Sequence, residues 1–173
     1  MAIGLFYGST TGTTQEVAEN ISELLISKGY NTEVYDIADC DINDLKNYDK
    51  LILASSTWHD GQLQDSWSDV IDDFNSIDFS SKKTALVGVG DQNGFSEYFL
   101  NALGHLAEAI QNNNGKIFGK WSAESYSFDE STGLDENGDF FGLGIDNENQ
   151  DDLTDERISK WVLQLENEQF LVD

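Results

Sequence analysis

Five short apolar segments recur along this chain, and the stretches between them carry apolar residues at helical spacing. The apolar segments are strand candidates, at residues 2 to 8, 32 to 36, 50 to 55, 83 to 89 and 115 to 119. Strands that alternate with helices along a chain are typical of βαβ units, in which consecutive strands lie parallel. The sequence therefore predicts an α/β fold built on a parallel sheet.

Three helix candidates are recognised by apolar side chains three and four residues apart, which form one stripe on a helix. We expect each stripe to pack in the core, because core packing is the commoner use of such a pattern. The stripes are Val17, Ile21, Leu24 and Leu25, then Leu103, Leu106, Ala107 and Ile110, then Ile158, Trp161, Val162 and Leu165. Trp67 lies in a further helix-like segment that opens at Ser66, and it is predicted to be core as well. The last helix is predicted to begin near residues 152 to 155, where acids suit a helix amino terminus.

The length of 173 residues suits one α/β domain, residues 1 to 173, and leaves little for a second. The chain carries 33 acidic and 9 basic residues, a formal charge of −24. So negative a surface repels nucleic acid and anionic lipid and favours partners with basic docking surfaces. With no long apolar run and no basic leader, we expect a cytoplasmic protein without a membrane segment. The single cysteine, Cys40, excludes an internal disulfide and a thiolate metal cluster.

Residues 121 to 142 interrupt the alternation, because the stretch is too long for an ordinary connection. It contains an Asn137-Gly138 pair with Leu134 before it and two phenylalanines after it. This pattern predicts a small hairpin or flap that lies against the last strand.

The segment between the first strand and the first helix is rich in hydroxyl groups. It consists of Ser9, Thr10, Thr11, Gly12, Thr13 and Thr14. Hydroxyls, a glycine and the free N–H groups of a helix amino terminus together can hold a phosphate. The segment has no lysine, which a nucleoside triphosphatase would need, so we expect a terminal monophosphate that is bound and not transferred. The alternative is a helix cap that binds nothing.

A second polar loop follows the third strand and carries Thr57, Trp58, His59, Asp60 and Gly61. Ligands of open α/β sheets lie outside the carboxyl ends of the strands, so this loop and the hydroxyl-rich loop should face one crevice. A tryptophan there could stack on a flat aromatic ligand, or it could fold under its own loop.

A third loop follows the fourth strand and includes Gly90, Asp91 and Phe95. Its glycines superficially resemble a dinucleotide motif, but their spacing is off by one residue. We expect the loop to present backbone groups and Phe95 to the ligand, on the face opposite Trp58. The alternative is that Phe95 is a core residue.

These loops, in this order, resemble the long-chain flavodoxins over essentially the full chain. The segments that carry the resemblance are LFYGSTTGTTQEVAE, SSTWHDGQLQDSW and GVGDQNGFSEYFLNALG, followed by GKIFGKWSAESYSFDES and FFGLGIDNENQDDLTDERISKWV. The resemblance implies a doubly wound five-stranded parallel sheet in the order 2-1-3-4-5, with helices on both faces. It also implies that residues 121 to 142 are an insertion that splits the last strand.

The resemblance implies a non-covalently bound FMN and assigns a role to each loop. Residues 9 to 14 would hold the phosphate, Thr57 would lie beside it or the ribityl chain, and Trp58 would stack on the flavin. The other residues expected to contact the cofactor are Ser55, Ser56, His59, Asp60, Gly61 and Gly90. Phe95 stands where many relatives have a tyrosine, and Asp91 would lie at the pyrimidine edge. Ser56 stands where relatives often have a proline. His59 would either tune the potential through its charge or be merely solvated.

The implied function is that of a low-potential one-electron carrier and not of an enzyme, with the chemistry supplied by the cofactor. The glycine in the stretch from His59 to Gly61 would let a backbone carbonyl turn to accept a hydrogen bond from the flavin. Its partners would be an NADPH-dependent flavodoxin reductase and acceptor redox enzymes, and the protein itself would be a monomer.

Two other functions use the same topology. An FMN-dependent quinone or nitro reductase would oxidise a nicotinamide itself, yet the chain shows no separate nicotinamide site. A phospho-receiver domain would need acidic residues after the first and third strands, where this chain has Gly8-Ser9 and Ser55-Ser56.

Overall fold

The computed structural model describes residues 1–173, which form a parallel sheet covered by helices on both faces. The strands are β1 (Ile3–Gly8), β2 (Thr32–Asp36), β3 (Lys50–Trp58), β4 (Gln62–Leu63), β5 (Lys83–Val89), β6 (Lys116–Phe118), β7 (Trp121–Ser122), β8 (Asp139–Phe140) and β9 (Leu143–Ile145). The α-helices are α1 (Thr13–Ser27), α2 (Asp65–Phe74), α3 (Asn101–Asn112) and α4 (Thr154–Asn167). Two 3₁₀ segments, Ile42–Asn47 and Asp151–Leu153, complete the chain. No helix is both long enough and apolar enough to span a membrane.

The main sheet has the order β2-β1-β3-β5-β6, and every one of these neighbours is parallel. This confirms the predicted order 2-1-3-4-5. The fifth position is shared by two strands, because β6 pairs with the first half of β5 and β9 pairs with its second half. The chain between β6 and β9 forms the separate β7–β8 pair and a turn at Gly138, whose φ is 80°.

The two faces of the sheet bury separate apolar clusters. On one face the predicted stripes of α1 and α4 pack together, with Ile21, Leu25 and Trp161 all fully buried. Leu24 is the exception in its stripe and is half-buried. On the other face the stripe of α3 packs beside Trp67 of α2. The predicted helices are therefore confirmed as the two outer layers of a doubly wound fold.

The structure differs from the sequence prediction around the third strand, which runs three residues beyond the predicted end at residue 55. Thr57 and Trp58 belong to β3 and pair antiparallel with β4, so the predicted loop is a tight hairpin. Buried Leu63 holds the returning strand, and Gly61 supplies the positive φ, 83°, that the turn needs. The helix that follows begins at Asp65 and is capped by Gln64, one residue before the predicted Ser66.

Candidate functional site

One surface cleft opens where the carboxyl ends of the parallel strands meet. The end of β3 and the loops that follow β1, β5 and β9 line it, as expected for ligand sites in open α/β sheets. Its lining residues are Ser9, Thr10, Thr11, Thr13, Thr14, Ser56, Thr57, Trp58, Val89, Gly90, Asp91, Phe95, Asn147 and Glu148. The cleft thus brings together eleven of the sixteen cofactor-binding residues that the sequence predicts.

The hydroxyl-rich loop at the start of α1 leaves its backbone donors free. Gly12 has a φ of 91°, and its N–H donates to the Ser9 hydroxyl at 3.1 Å. The N–H groups of the residues around it, Thr10, Thr11, Thr13, Thr14 and Gln15, donate to no acceptor in the protein. Open space surrounds the position that a Cβ at residue 12 would occupy. The loop therefore presents a set of unused donors at a helix amino terminus, the arrangement that binds anions.

A side chain from the segment between β4 and α2 holds the hydroxyl-rich loop in place. The Gln64 side-chain amide donates to the Thr10 hydroxyl at 3.1 Å, and the same residue caps α2. Gln64 is almost fully buried, so the bond is shielded from water. The orientation of the loop after β1 thus depends on the start of α2.

Hydrogen bonds orient the side chains at the end of β3. The Trp58 indole N–H donates to the Ser56 hydroxyl at 2.8 Å, which fixes the ring in the cleft wall. The Thr57 hydroxyl accepts from the Ala102 N–H at 3.0 Å and satisfies one of the free donors at the start of α3. Ser55 does not reach the cleft, since it is buried and its hydroxyl donates to the Ser56 carbonyl.

Three further nominated residues, His59, Asp60 and Gly61, lie beyond the rim of the cleft. His59 is exposed, has a positive φ of 49°, and its ring centroid is 6.2 Å from that of Trp58. Asp60 is exposed as well, whereas Gly61 is buried beneath the turn. The turn therefore lies next to the cleft through Trp58, and none of its three residues lines it.

The loop after β5 supplies the opposite wall. Phe95 is 55% exposed, so the alternative of a core phenylalanine is wrong. Asp91 lines the cleft, but one of its carboxylate oxygens accepts the N–H of Gly94 at 2.7 Å and that of Asn93 at 3.1 Å. These bonds, led by the one from Gly94, hold the pKa of the Asp91 carboxyl below its usual value.

Sequence reasoning missed the loop after β9, which contributes Asn147 and Glu148. A fully buried carboxylate, Asp146, organises this loop by accepting from the backbone N–H groups of Glu148 and Asn149 and from Gln92. The signal was present, because a segment that completes the last parallel strand must end at the same edge of the sheet.

The cleft contains no lysine or arginine, and its polar groups are hydroxyls, free N–H groups, two carboxylates and the amide of Asn147. Such a site can hold a phosphate through neutral donors while a flat ring contacts Trp58 and Phe95. No group of three or more histidine, cysteine or acidic side chains is placed to hold a metal ion.

Comparison with known proteins places the chain in one family. The family model described as flavodoxin matches residues 5–161. A flavodoxin of Synechococcus elongatus is 44% identical over 166 residues, covering 96% of each chain. Flavodoxin 1 of Escherichia coli is 41% identical and covers 99% of this chain and 97% of its own. The crystal structure of Fusobacterium nucleatum flavodoxin bound to flavin mononucleotide superposes with a TM-score of 0.90 at 31% identity, covering 96% of this chain and 98% of that one. The chain therefore belongs to the flavodoxin family of electron-transfer flavoproteins.

Proposed function

We propose that the cleft binds one FMN without a covalent bond and that the protein carries single electrons at low potential. The observation that carries this proposal is the pairing, in one cleft, of unused N–H donors at the start of α1 with the aromatic side chains Trp58 and Phe95. The first group suits a phosphate monoester and the second suits a flat ring. The bound flavin in the Fusobacterium nucleatum relative supports the same ligand.

Different residues contact different parts of the cofactor. Residues 9 to 14 hold the phosphate through hydroxyls and backbone N–H groups, and Ser56 and Thr57 lie along the chain that joins phosphate to ring. Trp58 and Phe95 cover the ring and exclude water from it. Asp91 and the neighbouring Gly90 backbone lie at the ring's polar edge. Ser55 acts indirectly, because its hydroxyl donates to the Ser56 carbonyl.

The flavin supplies the redox chemistry, and the protein sets its potential. Aromatic walls and a formal charge of −24 disfavour added negative charge in the cleft. The one-electron step that would leave the flavin negatively charged should therefore lie at low potential. No side chain in the cleft is needed as an acid, base or nucleophile. A backbone carbonyl of the turn from His59 to Gly61 is the acceptor that this chain offers to a protonated ring nitrogen.

The partners belong to the same proposal. An NADPH-dependent flavodoxin reductase would deliver electrons and redox enzymes would accept them, each through a basic docking surface that complements the acidic protein. A cytoplasmic location and a monomeric state are further parts of it, and the free thiol of Cys40 suits a reducing compartment. We also assign residues 1–173 to one domain and residues 121–142 to a long-chain insertion, supported by the pairing of both β6 and β9 with β5.

The deciding experiment is a redox titration of the purified, FMN-loaded protein followed by its visible spectrum. Two resolved one-electron steps are the expected result. A single two-electron step would contradict the carrier function, and rapid NADPH oxidation by the protein alone would favour a quinone or nitro reductase. Protein that neither is yellow nor quenches FMN fluorescence would overturn cofactor binding.

A further inference from the structure

The hairpin turn beside the cleft is held from below by α3. The Thr57 hydroxyl accepts the Ala102 N–H, and Gly61 packs so tightly on α3 that a Cβ there would lie 2.5 Å from the Asn101 side-chain nitrogen. One turn further along the helix, a ring nitrogen of His105 lies 2.8 Å from the Gly61 carbonyl oxygen. The turn therefore rests on three consecutive contacts along a single helix face.

Between these contacts the turn is unsupported. His59 and Asp60 use neither their backbone N–H groups nor their carbonyls in hydrogen bonds within the protein. His59 also holds a left-handed φ of 49°, a conformation that is strained for a non-glycine residue. The two ends of the turn are thus held by α3, whereas His59 and Asp60 at its tip make no backbone hydrogen bond.

The bond from His105 changes which carbonyls are available to a ligand. A carbonyl can only accept, so the ring atom Nε2 must carry a proton, as it does in one neutral tautomer and in the charged imidazolium. The Gly61 carbonyl is then occupied and directed toward α3, a helix that contributes no residue to the cleft. Only the carbonyls of His59 and Asp60 remain free to reorient.

We propose that His105, which lies outside the cleft, is a positioning residue that fixes the Gly61 end of this turn and confines backbone rotation to the two peptide groups between His59 and Gly61. This inference rests on the proposed function, because it is beside a bound flavin that the orientation of those peptide groups would affect a potential. His105 itself touches no cofactor and moves no proton to it.

The test compares three variants of the full chain. His105→Leu removes the donor, and His105→Gln keeps a side chain that can donate at similar reach. Gln111→Leu makes the same polar-to-apolar change at an exposed position of α3 that does not line the cleft, and it is the matched control. Urea midpoints of all three establish that each variant is folded.

The first measurement is amide hydrogen exchange in residues 57 to 63, made with and without FMN. Loss of one hydrogen bond should raise the exchange rates of the hairpin about fivefold in His105→Leu, while His105→Gln and Gln111→Leu stay near the unchanged protein. The second measurement is the separation of the two one-electron potentials, which should change in His105→Leu alone.

Unchanged exchange and unchanged potentials in His105→Leu would overturn the inference. An equal effect of Gln111→Leu would also overturn it, because the cause would then be a general loosening of α3. Failure of the unchanged protein to bind FMN would contradict the proposed function instead. The exchange rates of the cofactor-free protein would still decide whether His105 holds the turn.

Discussion

The side-chain amide of Asn149 donates to Asp91 at 2.8 Å and to Asp146 at 2.9 Å, and so joins two carboxylates from different loops. Asp91 belongs to the loop after β5, and Asp146 directly follows β9. Since both loops line the cleft, one amide couples the two halves of its far wall. A carboxylate that accepts several N–H bonds in the folded state is stabilised in its charged form.

This network predicts a stability contribution that acid removes. The pKa of Asp91 is lowered in the folded protein, chiefly by the bond from the Gly94 N–H, so the unfolded chain binds the proton more readily. The contribution is therefore fully present above the unfolded pKa, about 4, and is lost as the pH falls through the lower folded value. Urea unfolding of Asp91→Asn and the unchanged protein should differ more at about pH 7 than at about pH 3.

Asn149→Ala serves as the partial variant at Asp91, because it removes one donor to that carboxylate, together with the bond to Asp146, and leaves the backbone donors of Asn93 and Gly94 in place. Its pH-dependent loss should fall between those of the other two proteins. A difference between Asp91→Asn and the unchanged protein that is the same at both pH values would contradict the expected linkage.

The sequence was sufficient to predict the layers of this fold because their signals are local. The stripe that contains Val17 and Ile21 can only be buried as a helix, and the run from residue 83 to 89 is apolar enough to be covered on both sides. The hairpin at the end of β3 was not predictable in the same way. Its two-residue partner strand is too short for a periodic signal, and the burial of Leu63 depends on distant residues.

Of the site, the parts that follow directly from strand ends were predictable and those that depend on tertiary contacts were not. Trp58 and Phe95 could be nominated because aromatic residues in polar loops are unusual. His105 could not, since nothing in the sequence indicates that its ring meets a carbonyl 44 residues earlier. Asn149 could not be predicted for the same reason, because the two carboxylates that accept from its side-chain amide, Asp91 and Asp146, lie on separate loops.

Replacing Trp67, a core residue outside the cleft, should lower the free energy of unfolding. Its ring is fully buried, and the indole N–H donates to the Ala54 carbonyl at 2.9 Å. Trp67→Phe removes this donor and leaves a void, so we expect a loss of about 2–4 kcal/mol in the free energy of unfolding by urea. Trp58→Phe, at a half-buried position, is the comparison and should cost less than about 1 kcal/mol. Each variant loses one indole hydrogen bond, so equal losses would show that the full burial of Trp67 and of its bond adds nothing to stability.

Replacing Trp58 with alanine should weaken FMN binding far more than it weakens the fold. The indole is held in the cleft wall by its bond to Ser56, so little ordering is needed when a flat ring packs on it. Loss of that face should raise the FMN dissociation constant about 10- to 100-fold, measured by quenching of flavin fluorescence. Trp58→Phe should keep most of the affinity. An alanine variant that binds as tightly as the unchanged protein would remove Trp58 from the site.

The absence of a cation from the cleft predicts an unusual response to salt. The phosphate of FMN is an anion that must approach a protein of formal charge −24, and the exposed Glu16 lies in the first turn of α1 beside the free N–H groups. Salt screens repulsion as well as attraction, and the screening length falls from about 30 Å at 0.01 M to about 8 Å at 0.15 M ionic strength. FMN affinity should therefore rise with salt, and a cleft that used a lysine would show the opposite trend.

Riboflavin is the control for this effect, because it has the same ring and no phosphate. Its affinity should be lower than that of FMN and almost independent of salt, since an uncharged ligand feels little of the protein's field. Glu16→Gln should raise FMN affinity at low salt and have a smaller effect at high salt, where the charge is already screened. FMN binding that weakens as salt is added would mean that attraction to a cation outweighs the repulsion, and the neutral phosphate site would then be wrong.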